Sequence, residues 1–441
     1  MKIAVVGGGI SGLGSSWALA QRHHVTLFEA ADRLGGHAHT VTVADGDSET
    51  DVDVGFIVFN EANYPNLVAL FDALGVPTEP SDMSFSASLN DGALEYEGSL
   101  PGLAAQPANL LKPRYWRMIS EVLRFFREAE KLLEELDAET LTLGDYLRRE
   151  RYADVFIYDH LLPMGAAIWS ATLPQMMDFP AVSFIRFFKN HALLDAGDRP
   201  GWRTVSGGSK TYVEKLAAGI RGKIRCGAPI TEVRRSGSGL EVCSAAGSEN
   251  FDQVVFACHA DQALAMLGNE ATGERRNLLS AFRYQPNRAV LHRDPALMPR
   301  RRRAWASWNY LTTGRPDEDP SVFVTYWMNR LQNIDAPRDI FVTLNPGRTI
   351  DSDRIVGTFD YMHPLFDSQA VVAQKDLHQI QGRAGTWFCG SYCGNGFHED
   401  GLQAGLQVAA ALGAPAPWHG DVVPISPAAR AIASKKWEAA E

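Results

Sequence analysis

Cysteine is scarce in this chain, with five residues in 441, an odd number scattered along the sequence. That excludes a disulfide framework and points to thiols in a reducing compartment. Long apolar runs are missing as well, and no stretch reaches the ~18 residues expected of a transmembrane helix. The first six residues, Met1-Lys2-Ile3-Ala4-Val5-Val6, run straight into a glycine loop, which leaves no room for the apolar core and cleavage site of a signal peptide. A cytoplasmic protein is expected, at most peripheral on the inner face of the cytoplasmic membrane. An excess of positive charge is also absent. Lys and Arg total 42 against 52 Asp and Glu, a net charge of −10, whereas a general nucleic-acid binder needs the opposite field. There is no low-complexity tract and no repeat at a solenoid period. With 45% hydrophobic and 21% charged residues the composition is that of an ordered globular protein. At roughly 150 residues per domain, the length predicts two or three domains.

The amino end reads as strand, glycine turn, helix, strand: Lys2–Val6, Gly7–Gly12, Leu13–Gln21, Val25–Glu29. Apolar Met118, Ile119, Val122, Phe125, Phe126, Ala129, Leu132 and Leu133 recur at helical spacing, predicting a long amphipathic helix over about 114–135. Helical, aromatic-rich sequence continues to Phe188. A second α/β section has a helix at Lys210–Ala218 and short strands at Ile230–Arg234, Gly239–Cys243 and Gln253–Ala257. A β-rich stretch then occupies 284–365, and the chain returns to strand, turn and helix over Thr386–Leu412. The tail after Pro415 reads as a poorly packed extension. Nucleotide-type segments at both ends and in the middle predict two interleaved domains. One comprises 1–75, 202–265 and 380–415, the other 76–201 and 266–379, with 416–441 as a tail.

The loop Gly7-Gly8-Gly9-Ile10-Ser11-Gly12 fits G-x-G-x-x-G with a strand before it and a helix after it. In such a loop Gly7 permits the turn, Gly9 admits a pyrophosphate to the backbone, and Gly12 lets helix and strand pack closely. The N–H groups at the helix start, those of Ile10 and Ser11 among them, then face the anion. Glu29 closes the second strand, where an acid accepts hydrogen bonds from ribose hydroxyls. Four residues on, Arg33-Leu34-Gly35-Gly36 offers a second glycine loop with a cation. The acidic strand Asp51-Val52-Asp53-Val54-Gly55-Phe56 comes next. Near the carboxy end Trp387-Phe388-Cys389-Gly390 precedes Gly396-Phe397-His398-Glu399-Asp400-Gly401-Leu402.

This series resembles the FAD-containing amine oxidase and phytoene desaturase superfamily. The resemblance implies an α/β fold in which a Rossmann-like FAD-binding domain is interleaved with an α+β substrate domain. It also implies that Gly7, Gly9, Ile10, Ser11, Gly12, Glu29, Arg33, Gly35, Gly36, Asp53, Gly55, Phe56, Gly390, Glu399, Asp400 and Leu402 contact the cofactor. The carboxy-terminal helix would point its positive end at the flavin ring. Further likeness, in Trp202–Ser209, Ala306–Tyr310 and Leu291–Asp294, is to a bacterial subgroup associated with cyclopropane-fatty-acid-synthase-like methyltransferases. One member type desaturates methyl-branched acyl chains on the way to furan fatty acids. A lipid-like apolar substrate and a methyltransferase-type pathway partner are therefore expected. Amine oxidation, carotenoid-type desaturation and a flavin-binding subunit without turnover remain alternatives.

His398, beside the expected flavin, is the candidate proton acceptor, against a structural role for the same imidazole. His37 and His39 follow the double glycine and can flank the cofactor, or one of them can carry it covalently. No grouping of His, Cys, Asp and Glu has metal-ligand spacing, so no metal is expected. No nucleophile-elbow context is present for a serine hydrolase. The run Arg300–Arg303 beside Trp305 and Trp308 reads as a site for an anionic membrane surface, or as a solvated loop over buried tryptophans.

Overall fold

Five strands, Lys223–Arg225, His24–Phe28, Lys2–Val6, Gln253–Phe256 and Thr386–Phe388, lie side by side in that order as one wholly parallel sheet. The central strands are mainly apolar and almost fully buried past their first residue, as a parallel sheet covered on two sides requires, whereas the edge strand Lys223–Arg225 is charged and partly exposed. The computed structural model describes residues 1–45, 48–135, 141–169, 171–194, 201–237, 239–313 and 321–420. Helix Ile10–Leu19 links the first two strands of this sheet in sequence and packs closely on the carboxy-terminal helix His398–Ala411. The first helix begins three residues earlier than its apolar pattern predicts. Gly9, extended at φ −75° and ψ −175°, serves as N-cap, and the chain enters the helix at once.

A second sheet has seven strands, in the order Ile355–Leu365, Arg283–His292, Phe341–Leu344, Ser321–Trp327, Trp308–Thr313, Phe85–Leu89 and Leu94–Glu97. All neighbours are antiparallel except Trp308–Thr313 on Phe85–Leu89. Helices Pro113–Glu128, Leu143–Arg149, Leu162–Trp169 and Ala181–Asn190 share its apolar core. The predicted long helix is α-helical only to Glu128. It then tightens into a 3₁₀ segment, Ala129–Glu134, whose three-residue repeat puts Ala129 and Leu132 on one buried side.

Each sheet has its own core. The first is built from residues between 3–38, 59–71, 205–282 and 370–416, the second from residues between 43–58, 87–194 and 289–361. The chain thus crosses between the two units several times. Residues up to Phe282 and from Ala370 belong with the parallel sheet, beyond the limits the sequence reading drew at 265 and 380.

One expectation is corrected here. The chain just after Pro415 is packed, not loose. Ala416 is buried, and Trp418 stacks on Trp17 at 5.8 Å and donates its indole N–H to Asn66 Oδ1 at 3.2 Å. The rest of the tail, 421–441, lies outside the described residues. In the Arg300–Arg303 run, the Arg301 and Arg302 side chains pair within the protein. The buried Glu95 carboxylate accepts from the backbone N–H of Arg300 and Arg301 and from the Arg301 guanidinium at 2.8 Å. Arg302 pairs with Asp339 and lies 4.0 Å over the buried Trp305 ring. These two side chains close a corner of the second unit, while Arg300 and Arg303 are exposed.

Candidate active site

The glycines of the first loop do different jobs. A Cβ at Gly7, where φ is +111°, would stand 2.5 Å from the Ala257 carbonyl oxygen, and one at Gly12 would stand 1.8 Å from the Gly7 carbonyl oxygen. Both positions are closed by the protein's own backbone. A Cβ at Gly9 would meet no atom within 4 Å. The helix that starts there has no side-chain cap and no acid in its first turn, and its first intrahelical bond from this end is Leu13 N–H to Gly9 at 2.9 Å. The N–H groups of Ile10, Ser11 and Gly12 therefore lack intrahelical acceptors and carry the positive end of the helix dipole. Open space at Gly9 in front of an uncapped helix start is what a pyrophosphate needs.

The second loop lies against the first. Gly35 donates to the Gly8 carbonyl at 2.8 Å, and a Cβ on Gly36, at φ +58°, would come within 3.1 Å of the Gly9 Cα. Arg33, expected at the phosphates, instead donates to the carbonyls of Leu34 and Gly36, at 3.3 and 2.9 Å, and so clamps its own turn. Glu29 accepts from Gly8 N–H at 2.5 Å and from Ala31 N–H at 2.8 Å. Each of its oxygens keeps a second lone pair for a ribose hydroxyl.

Asp53, also expected on the cofactor, is almost completely buried and ties three segments together. It accepts from Thr40 Oγ1 at 2.6 Å, from Ser209 N–H and Oγ, and from Gln332 Nε2 at 2.9 Å. Burial raises its pKa to about 6 against the pull of these donors. Gly55 is required because a Cβ would sit 2.1 Å from the His37 carbonyl oxygen, and Gly390 because one would strike the Tyr392 ring.

At the carboxy-terminal turn the structure brings Phe56 and His398 together, with ring centroids 3.9 Å apart and an interplanar angle of 10°. His398 Nε2 shares a 2.5 Å hydrogen bond with the Tyr212 hydroxyl, and burial drives its pKa down to about 3. Glu399 and Asp400, expected on the cofactor, have their carboxylates engaged by donors of the protein. Glu399 accepts from Asn66 N–H at 2.9 Å, Asn66 Nδ2 at 2.7 Å and Leu67 N–H at 3.0 Å. It thereby caps helix Pro65–Leu74, whose own N-cap, Tyr64, offers no side-chain bond. Asp400 accepts from Phe397 N–H at 2.9 Å, closing the start of its own helix. Leu402 packs into the core against Gly14, and Gly401 and Gly405 let this helix cross the first one at Ser11. The carboxy-terminal helix start is thus held beside the glycine loops.

Over residues 10–291 the sequence matches the model of the flavin-containing amine oxidoreductases. The chain belongs to this family. Its cofactor is FAD, and the open Gly9 cradle, the uncapped helix and Glu29 fit that group. A Mycobacterium tuberculosis protein, AofH, whose name places it among flavin-containing monoamine oxidases, is 26% identical over 264 residues. That match covers 58% of this chain and 56% of AofH, so the chain spans little more than half the length of this curated relative. Among solved structures, a fatty acid isomerase from P. acnes that produces CLA superposes with a TM-score of 0.65 at 16% identity, covering 91% of this chain and 96% of that one. Cyclohexylamine oxidase from Brevibacterium oxydans gives 0.66 at 15% identity, with 93% and 98% covered. These likenesses establish the shared fold.

An aromatic wall that the sequence reading missed stands beside the turn. Phe187 stacks on Phe397 at 4.9 Å and 19°, on His191 at 3.8 Å, and lies 4.7 Å from Trp169. The i, i+4 spacing of Phe184 with Phe188, and of Phe187 with His191, was its local signal. The partnership with Phe397, 210 positions away, had none. On the other side His37 lies between Tyr361 and His363, at 4.9 and 5.3 Å, and His39 Nδ1 bonds the Tyr361 hydroxyl at 2.9 Å. Burial holds His37 well below the usual histidine range. Among the described residues no three His, Cys, Asp or Glu converge in a way that could hold a metal ion.

With a pKa near 3 and one nitrogen engaged by Tyr212, His398 is a neutral imidazole in the physiological range and a weak proton acceptor. His398→Ala, loaded with FAD, is expected to keep its flavin-reduction rate within about tenfold of wild type, where loss of a general base costs ~10²–10⁴. Its rate–pH profile should be unchanged while its thermal stability drops. Single-turnover anaerobic reduction across a pH series checks this, and a larger loss with an altered profile would return His398 to catalysis.

Proposed function

We propose that this FAD-dependent oxidoreductase removes hydride and a proton from a fatty acyl chain, free or in a phospholipid, to give a desaturated product. FAD, when bound, supplies the hydride acceptor. The chain's own residues bind and orient. Gly7–Gly12 and Glu29 would hold the dinucleotide half, and Gly35–Gly36 with the Phe397–His398 turn would flank the flavin end. Trp169, Phe187 and Phe397 exclude water and give a flexible chain apolar contact.

One observation carries the choice of an apolar substrate over an amine. Phe187 and Phe397 stack directly on each other, so no slot is left between these two rings for an amino group. The buried carboxylates that could hold an ammonium, Asp53, Glu399 and Asp400, are already engaged by N–H and O–H donors of the protein. A cyclopropane-synthase-like methyltransferase would be a fitting source of a branched acyl substrate.

Anaerobic mixing of the holoprotein with methyl-branched and unbranched acyl lipids, and separately with putrescine and cyclohexylamine, tests the proposal. Lipid is expected to bleach the visible flavin absorbance and amines to leave it unchanged. Bleaching by amines alone would make the protein an amine oxidase, and no bleaching by any of them would favour a flavin-binding subunit without turnover.

A further inference from the structure

The segment 98–117 carries both exposed apolar side chains and positive charge. Leu100 and Leu111 are 87% and 86% exposed and Trp116 is 53% exposed, with Leu110 and Leu123 partly uncovered beside them. Between Glu97 and Glu121 the sequence has no acidic residue, yet it carries Lys112, Arg114 and Arg117, in a chain whose net charge is −10. The flanking acids are engaged. Glu121 pairs with Arg124 at 3.3 Å, Asp159 with Arg114 at 2.8 Å, and Glu97 accepts from Ser99 N–H at 3.0 Å.

The segment is also firmly mounted. Tyr115 and Met118 are buried on the inner side of helix Pro113–Glu128, and the Tyr115 hydroxyl donates to the Leu103 carbonyl at 2.9 Å. The Trp116 indole N–H is satisfied by the Leu110 carbonyl at 2.9 Å, which leaves the ring as an amphipathic surface element. Among the described residues nothing covers these outward leucines, and exposed apolar side chains next to cations mark an interaction surface.

We infer that residues 98–117 dock this protein on an anionic phospholipid bilayer, with Leu100, Leu111 and Trp116 entering the interface and the exposed Lys112 and Arg117 among the headgroups. Charge complementarity selects the bilayer, because a second copy of this acidic chain would bring the same two cations against themselves. The surface is distinct from the Arg300–Arg303 run, of which Arg301 and Arg302 are paired within the protein. It belongs to the same unit as the aromatic wall, so docking would place that unit against the membrane. The inference does not depend on the substrate proposed above.

Co-sedimentation of the FAD-loaded protein with phosphatidylglycerol-containing vesicles and with pure phosphatidylcholine vesicles tests it. Wild type is expected to bind the anionic vesicles at low salt and to be released by high salt. Since each cation near an anionic surface strengthens binding about fivefold, Lys112→Gln with Arg117→Gln should weaken it about 25-fold. Leu100→Ser with Leu111→Ser should weaken it by at least tenfold, which even partial burial of two leucines in the interface supplies. Both double variants should keep the flavin absorbance and melting temperature of wild type. The inference is overturned if wild type fails to bind at low salt or if either double variant binds as tightly as wild type. It is equally overturned if the wild type is a dimer in sedimentation equilibrium that the leucine variant dissociates.

Discussion

Gly9→Val is expected to give a folded, colourless protein, whereas Gly12→Ala is expected to give no folded protein at all. The two glycines are three residues apart in one motif, and the difference lies in what faces them. At Gly9 an added Cβ meets no atom within 4 Å, and the backbone is extended, a conformation valine adopts readily. The valine therefore stands only in the space that a pyrophosphate would take. At Gly12 an added Cβ would lie 1.8 Å from the Gly7 carbonyl oxygen, an overlap that only a shift of helix against strand could relieve. The measurement is far-UV circular dichroism and thermal melting beside the visible spectrum. Gly9→Val should melt like wild type stripped of FAD, since it lacks only the stabilisation that ligand binding provides. A yellow Gly9→Val protein with normal cofactor stoichiometry would overturn the assignment of this loop.

Glu399→Ala should destabilise the protein by about 3–5 kcal/mol, because three donors, two on Asn66 and one on Leu67, lose their acceptor in the interior. For a chain of this size that corresponds to a fall in melting temperature on the order of 3–5 °C. The FAD affinity should drop with it, since Glu399 anchors the turn that carries Phe397 and His398. The same residue makes stability depend on pH. Burial raises Glu399 from 4.5 to about 7 and Asp400 from 3.8 to about 6. The folded state therefore holds these protons more tightly than the unfolded chain. The contribution of the pair is full below about pH 4 and is lost as pH rises through 6 and 7. Chemical denaturation of the purified protein across this range should show stability falling with pH from these two groups, and a shallower fall in Glu399→Ala. An identical slope in wild type and variant would show that Glu399 does not titrate there.

Local motifs were legible where their physics is local. The strand, turn and helix at Lys2–Gly12 appear because a loop that must turn tightly, bind an anion and pack against a helix can be built only with glycines at set intervals. Glu29 follows because the second strand must end opposite that loop. The carboxy-terminal strand, turn and helix were visible as a glycine-rich run over Thr386–Leu412. Less visible was what each polar side chain would meet. Asp53, Glu399 and Asp400 read as cofactor ligands because they sit in cofactor motifs. In the folded chain their partners are Ser209, Gln332, Asn66 and the Phe397 N–H, and most of these lie more than 150 positions away.

The amino-acid sequence by itself determined the dinucleotide loop, the two-unit α/β organisation and the family, because those depend on backbone freedom and on apolar periodicity within a few turns of chain. Only the tertiary structure decided that His398 is a buried, neutral ring stacked on Phe56, that Phe187 meets Phe397, and that Arg301 and Arg302 close onto Glu95 and Asp339. It alone also left Leu100, Leu111 and Trp116 exposed in the segment that carries Lys112 and Arg117. The reason is physical. Desolvation, hydrogen-bond pairing and exposure are properties of a side chain's neighbours in space, and in an interleaved fold those neighbours come from distant parts of the chain.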